Sequence, residues 1–218
     1  MPEAIGELPS SEIKNLPDLK KHTKKPSMIV IGINWPMETF LYRLLSGLAD
    51  AGFEITIATS DTPDSSSSAS SKFRWFHLPS VEKNSLTRLF RFFLTFIRSQ
   101  IFYRSDYNKL KESLEGTTFR ERAYELQRNL PFVGKRWEII YFPWNASAAS
   151  FLPLFNLGIP VIVSCRGSHV TVTPHNPEKR FFRDALKRTF QLASGVHCVS
   201  EATMKEAQKY GLDPEKSG

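Results

Sequence analysis

The chain has 218 residues, with 41% hydrophobic, 12% aromatic and 23% charged content, enough for one core and too few for two ordinary domains. That balance excludes wholesale disorder, a collagen-like chain and a disulfide-stapled miniprotein, and no apolar run approaches the ~20 residues of a membrane span. A net charge of +7, from 29 basic and 22 acidic residues, suits an anionic partner: nucleic acid, a phosphorylated substrate or an acidic membrane face.

Residues 1–26 carry Pro2, Pro9, Pro17, Pro26 and a cluster of lysines from Lys20 to Lys25, and read as a flexible N-terminal arm rather than a secretory signal. Residues 27–218 read as one domain. Met28–Ile33 is almost wholly apolar, as a strand covered on both faces must be. Phe40, Leu41, Leu44, Leu45 and Leu48 recur at helical spacing from Glu38 to Ala51, and Gly52 follows as a stop. Phe53–Thr59 is the next strand, which completes a right-handed βαβ unit. Residues 61–72 hold six serines and Pro63 and read as a flexible loop; Phe73–Leu78 alternates as a third strand.

Residues 84–130 show helical patterning and no strand signal, and form a basic, aromatic insertion. Glu138–Phe142 predicts a fourth strand, Ala146–Asn156 a helix and Val161–Cys165 a fifth strand. Pro177–Ala193 predicts a helix with proline in its first turn, and Gly195–Val199 a sixth strand. Ser200–Tyr210 predicts a helix with Ser200 as N-cap and Gly211 as stop. Residues 211–218 read as a turn leading towards a further element, as though the chain were cut there. The expected fold is α/β: a Rossmann-like, doubly wound parallel sheet of about six strands with helices on both faces. Cys165 and Cys198, with no CxxC spacing, read as free, buried thiols of a reducing compartment.

Ligands of such sheets bind outside the carboxyl ends of the strands, which selects three stretches. After strand one come Glu38 and Thr39; the lone Gly32 there lacks the GxGxxG fingerprint, which disfavours a dinucleotide-dependent oxidoreductase. After strand four, Trp144 offers a stacking platform and Asn145 hydrogen bonds to hydroxyls. After strand five, Arg166, Gly167, Ser168 and His169 combine a guanidinium fork, a close turn and a proton carrier, suited to an anionic or polyhydroxyl ligand.

No P-loop, GxSxG elbow or HExxH occurs, so a metal site is not expected. The basic residues lack the aromatic ladder of an RNA-binding sheet, and no nucleic-acid partner is expected. Within the insertion, Arg88, Arg91 and Arg98 share one helical face among Phe92, Phe93, Phe96 and other large apolar residues. Such a helix suits an anionic membrane interface, and it equally suits an outer helix covering the sheet.

Three segments, in order, resemble the N-terminal half of retaining glycosyltransferases of the GT-B fold, group 1 (family 4). These are Trp35–Leu41 continuing through Leu48–Thr56, then Gly158–Val170, then Val196–Ala202 with Tyr210–Lys216. The resemblance spans about residues 27–218. It implies transfer of a sugar from a nucleotide sugar to a polysaccharide or lipid-linked acceptor, with no cofactor beyond that donor substrate. It implies that Glu38 and Thr39 face the cleft and that Arg166, Gly167 and Ser168 contact the acceptor or a phosphate; with Trp144, Asn145 and His169 from the strand exits these are the candidate acceptor-binding residues, and no catalytic residue is assigned. The C-terminal donor-binding domain of the family is absent, so a missing domain or partner subunit is implied, and this chain alone is expected to be inactive. Two departures stand out. The usual Gly-Gly loop is Asn34-Trp35-Pro36-Met37, and Arg166 and His169 replace the family's frequent His and Asp, which puts a loop-histidine role in doubt. The expected location is the cytoplasm, peripheral on the inner face of the membrane. A non-catalytic Rossmann-like module that binds sugars or a partner remains the alternative.

Overall fold

The structure, a computed structural model, describes residues 25–60, 70–78 and 85–218. In chain order the elements are β1 (Ser27–Ile31), α1 (Thr39–Asp50), β2 (Glu54–Thr59), β3 (Arg74–His77), α2 (Ser85–Phe102), α3 (Arg104–Glu112) and α4 (Phe119–Asn129). They continue with β4 (Ile139–Phe142), α5 (Asn145–Ser150), β5 (Val161–Cys165), α6 (Ser168–Thr171), α7 (Arg180–Leu192), β6 (Gly195–Cys198) and α8 (Glu201–Gln208). The six strands form one sheet in the order β3-β2-β1-β4-β5-β6, with every pair parallel. This is the doubly wound, Rossmann-like order. The direction of winding reverses between β1 and β4, and that switch point opens a crevice at the carboxyl ends of the strands.

Alternate residues of each strand supply two cores, because successive side chains leave a strand on opposite faces. Ile29, Ile31, Ile140, Phe142, Val161, Val163 and Cys165 face Leu186 and Phe190 of α7 and Ala207 of α8. Met28, Val30, Ile55, Ile57 and Tyr141 face Leu41 and Leu45 of α1. Each large aliphatic or aromatic side chain so enclosed contributes about 1.5–3 kcal/mol. A third, smaller cluster of Tyr107, Leu110, Leu130 and Val133 holds the α2–α4 region together, with Phe92 and Phe96 packed on it. Asp106 of α3 fastens this region to the approach to β4: its carboxylate accepts from Arg136 at 2.7 Å and from the Gly134 amide at 3.3 Å.

Several local expectations change. The helix expected over 146–156 is α5 followed by a 3₁₀ segment, Leu152–Leu157, where Pro153 lacks the amide that would continue an α-helix. The helix expected from residue 177 begins as a 3₁₀ turn, Pro177–Lys179, ahead of α7. The stretch after β5 winds into α6 and the 3₁₀ turn Thr173–His175. Of the serine-rich loop, residues 61–69 lie outside the described residues; Ser70–Lys72 is a 3₁₀ turn, with Lys72 Nζ 3.1 Å from the Asp50 carboxylate. Residues 1–24 of the expected arm also lie outside them. Ser200 caps α8 as expected, its Oγ accepting from the Thr203 amide at 3.2 Å. Cys198 is half-buried rather than enclosed, and it is the register partner of the buried Cys165. At the end of the chain Ser217 forms a parallel bridge to Val196.

Two glycines give a contrast in packing. Gly32, just after β1, has φ +86°, and a Cβ there would collide with the Ser147 side chain of α5. Gly47, inside α1, has open space around it. Gly32→Ala should therefore destabilise by at least ~2 kcal/mol, lowering Tm by roughly 4–8 °C. Gly47→Ala should leave Tm unchanged or raise it, since it removes helix-interior glycine entropy worth about 0.5–1 kcal/mol. Thermal melts of the two variants beside the wild type check the pair.

Candidate functional site at the switch point

The segments leaving β1, β4 and β5 meet at the crevice. Gly32 carries the chain out of β1 with its carbonyl accepting from Ser147 Oγ at 3.3 Å, so the first turn of α5 lies directly against the β1 exit. Residues 33–38 then lead into α1, whose N-cap position is Glu38, an exposed residue whose side chain makes no capping hydrogen bond. Thr39 is exposed beside it as the first residue of α1. Phe40 and Leu44 are 42% and 40% exposed, whereas Leu41 and Leu45 are fully buried. The apolar arc of α1 is thus wider than the face it packs with.

Phe40 is the residue around which the others gather. The guanidinium of Arg166, at the β5 exit, lies 4.7 Å from the centre of its ring. Trp144, at the β4 exit, meets the same ring edge-on at 6.0 Å. The Arg166 Nε is buried and finds no hydrogen-bond partner among the described residues. A guanidinium seated on an aromatic face keeps the planar fork at its far end for an acceptor oxygen, while the buried Nε is turned away from any ligand. Asn145 is fully buried, and its Nδ2 donates to the His169 carbonyl at 3.3 Å. It serves the crevice from beneath, tying α5 to α6, while its Oδ1 is unpaired among the described residues.

Gly167 has φ +55° and ψ −144°, a region that only glycine occupies without strain, and nothing crowds its Cα. Its role is the turn itself, which leaves Gly167 and Ser168 exposed. The His169 ring sits 6.2 Å from Phe182 and is half-buried.

Behind this edge runs a polar chain that sequence patterning did not reveal. Ser164 of β5 is fully buried, with its Oγ 3.0 Å from Tyr141 Oη on β4 and 3.0 Å from His197 Nδ1 on β6. Burial, then the nearby Arg166 guanidinium, hold the imidazole of His197 below its ordinary value. On the opposite face of the same two strands the Cys165 thiol is pushed up, by its hydrogen bond to Cys198 and by burial, while the same bond lowers Cys198.

Of the eight residues expected to face a ligand, Glu38, Thr39, Gly167 and Ser168 are exposed on these exits, Trp144, Arg166 and His169 are half-buried there, and Asn145 is buried beneath them. Phe40 was missed because its helical spacing with Leu41 and Leu44 marks it as core; the signal was the breadth of that arc. A groove of about 560 Å³ lies at the other end of the sheet, lined by Ser27, Glu54, Arg74, Trp75, Arg136 and Trp137 among others. The switch-point rule favours the crevice over it. Among the described residues no three potential metal ligands come together.

A model of the family described as Glycosyltransferase Family 4 matches residues 37–217. Among solved structures, the chain is similar to Anabaena Alr3699/HepE, whose crystal structure is in complex with UDP and glucose. The identity is 12% and the TM-score 0.45, over 89% of this chain and 44% of that one. It is also similar to Arabidopsis thaliana UGT89C1, complexed with UDP, at 14% identity and TM-score 0.44, over 89% of this chain and 48% of that one. The chain thus spans less than half the length of either. No curated protein matches it.

The state of His197 fixes a pH dependence. Because the fold holds this imidazole below its ordinary value, the folded state takes up the proton less readily than the unfolded chain. Its contribution is complete above about pH 6.5 and is lost as the pH falls below that. Melting temperatures between pH 7.5 and 5.5 should fall less steeply in His197→Gln than in the wild type. Parallel slopes would show that His197 titrates alike in both states.

Proposed function

The chain belongs to Glycosyltransferase Family 4, and we propose that it forms the acceptor-side half of a retaining enzyme that transfers a sugar from a nucleotide sugar to a glycan or lipid-linked acceptor. The observation that carries this reading is the cluster of Arg166, Phe40 and Trp144 at the switch point, beside the uncapped Glu38. Aromatic surface next to free hydrogen-bonding groups is what a polyhydroxyl ligand requires: ring faces for its C–H surface, charged and polar groups for its hydroxyls.

In this reading Trp144 and Phe40 form the platform. Glu38 accepts from an acceptor hydroxyl, and Thr39 and Ser168 offer further hydroxyl contacts. Arg166 donates to an oxygen of the acceptor, most strongly where that oxygen belongs to a phosphate. Asn145 and Gly167 hold the loop in shape. Transfer then depends on fixing the acceptor hydroxyl against the anomeric carbon, while cationic groups stabilise the departing diphosphate. Most of the grip on the nucleotide falls to a donor domain outside these residues.

Calorimetry with the 218-residue chain tests this, using sugar phosphates and neutral oligosaccharides as acceptors and UDP-, GDP- and ADP-sugars as donors, followed by a transfer assay. Expected are acceptor binding that Arg166→Ala weakens about tenfold or more and no transfer by the chain alone. Binding indifferent to Arg166 would move the acceptor site elsewhere. Transfer by this chain alone would mean that it builds a donor site of its own, contrary to the half-enzyme reading.

A further inference from the structure

Helix α2 is turned inside out relative to an ordinary surface helix. At 100° per residue, Phe90, Phe93, Leu94, Ile97 and Ile101 fall within an arc of about 100°. Four of them are 50–65% exposed and Ile97 is 36% exposed. The opposite side carries Ser99, which is buried, with Phe92 and Phe96, which stack on each other and reach Tyr107 of α3. Phe92 and Phe96, grouped by the sequence pattern with the surface residues, therefore belong to the local core, and only Phe93 of that trio faces out. Arg91 and Arg98, one heptad apart, are exposed along one flank of the apolar stripe. The side chain of Arg88 lies outside the described residues.

We propose that this face of α2 lies in the interface of an anionic lipid bilayer, with the stripe below the headgroups and Arg91 and Arg98 among them. Five contiguous apolar side chains in water are costly for a surface helix, and none of the described residues covers them. No helix of the described residues is long and apolar enough to cross a membrane. A stripe along the helix axis with charge to one side is the geometry of a helix lying in the membrane plane. The sign of that charge selects the lipid: from Ser85 to Ser105 there are four arginines and no acidic residue. A second copy of the chain is the poorer occupant, since a twofold contact through this stripe would set two wholly cationic helices together with no acid on either. The inference does not rest on glycosyl transfer, and its test involves no sugar.

The test is sedimentation of the full chain with vesicles of neutral phosphatidylcholine and with vesicles containing 30% phosphatidylglycerol. Expected is binding to the anionic vesicles that weakens as salt is raised. Phe90→Asp with Ile101→Asp should reduce it about tenfold or more with the thermal melt preserved, since both side chains are exposed. Arg91→Gln with Arg98→Gln should reduce it by roughly fivefold per arginine on anionic vesicles. The proposal is overturned by equal binding to both vesicle types, by binding to neither, or by wild-type binding in the Asp variant. Concentration-dependent dimerisation abolished by the Asp pair, without vesicle binding, would assign the stripe to a second copy instead.

Discussion

Residue 32 has no room for a side chain, and the candidate site depends on that fact. With Ser147 packed against the Gly32 backbone, the first turn of α5 lies closer to the β1 exit than any other residue type would permit. The start of α1 lies beside the β4 exit, where Phe40 meets Trp144. It also places Phe40 where the chain leaving β5 can seat Arg166 upon it. In a nucleotide-binding Rossmann unit the glycines at this position let a pyrophosphate approach the backbone. Here the single glycine is spent on a helix instead, and the space above it is lined with rings. The same topology yields a crevice of different chemistry because one small residue admits a different neighbour.

The polar groups behind the crevice follow from its position at the edge of a parallel sheet. Ser164 would be an unsatisfied hydroxyl in a dry core; His197, its register partner on β6, meets it, and so does the long side chain of Tyr141, whose own partner on β5 is Ile162. This row crosses three strands immediately behind the loop that carries Arg166, so the loop is anchored by hydrogen bonds as well as by packing. The neutral imidazole is the form that suits this surrounding, with burial and the guanidinium both opposing a second positive charge.

Much of this was legible in the sequence, and the reasons are physical. Val161–Cys165 was bounded correctly because a β-branched run after Gly158-Ile159-Pro160 leaves little choice. The three strand-exit segments were found because parallel topology dictates where ligands bind, which requires no side-chain detail. Side-chain partners were not legible. The seat of Arg166 on Phe40 joins residues far apart in the chain, and the row from Tyr141 to His197 exists only once β4, β5 and β6 are in register. Asn145 was assigned a ligand contact on its residue type, and what the pattern does not reveal is that the first turn of α5 faces inward there. Proline explains one boundary error: Pro153 lacks the amide that would carry α5 onward, and the segment continues as a 3₁₀ turn, a distinction too fine for periodicity.

The α2 helix shows why periodicity left two readings open. Apolar residues on nearly every side satisfy a helix covering a sheet and a helix lying in a membrane equally well. What separates them is where the rest of the insertion gets its core. Tyr107, Leu110, Leu130 and Val133 form a small cluster of their own, and α2 closes it with Phe92 and Phe96 alone. Asp106, bonded to Arg136 and the Gly134 amide, fixes the insertion to the approach to β4, and Arg128 of α4, lying over the Phe151 ring, ties it to the segment after α5. Once two phenylalanines suffice for the inner face, the five apolar side chains of the outer stripe have no work among the described residues. Their stability in solution would be better served by lysine and glutamate. A stripe retained against that cost, bordered by arginine and by no acid, has the composition of a surface whose solvent is not water alone.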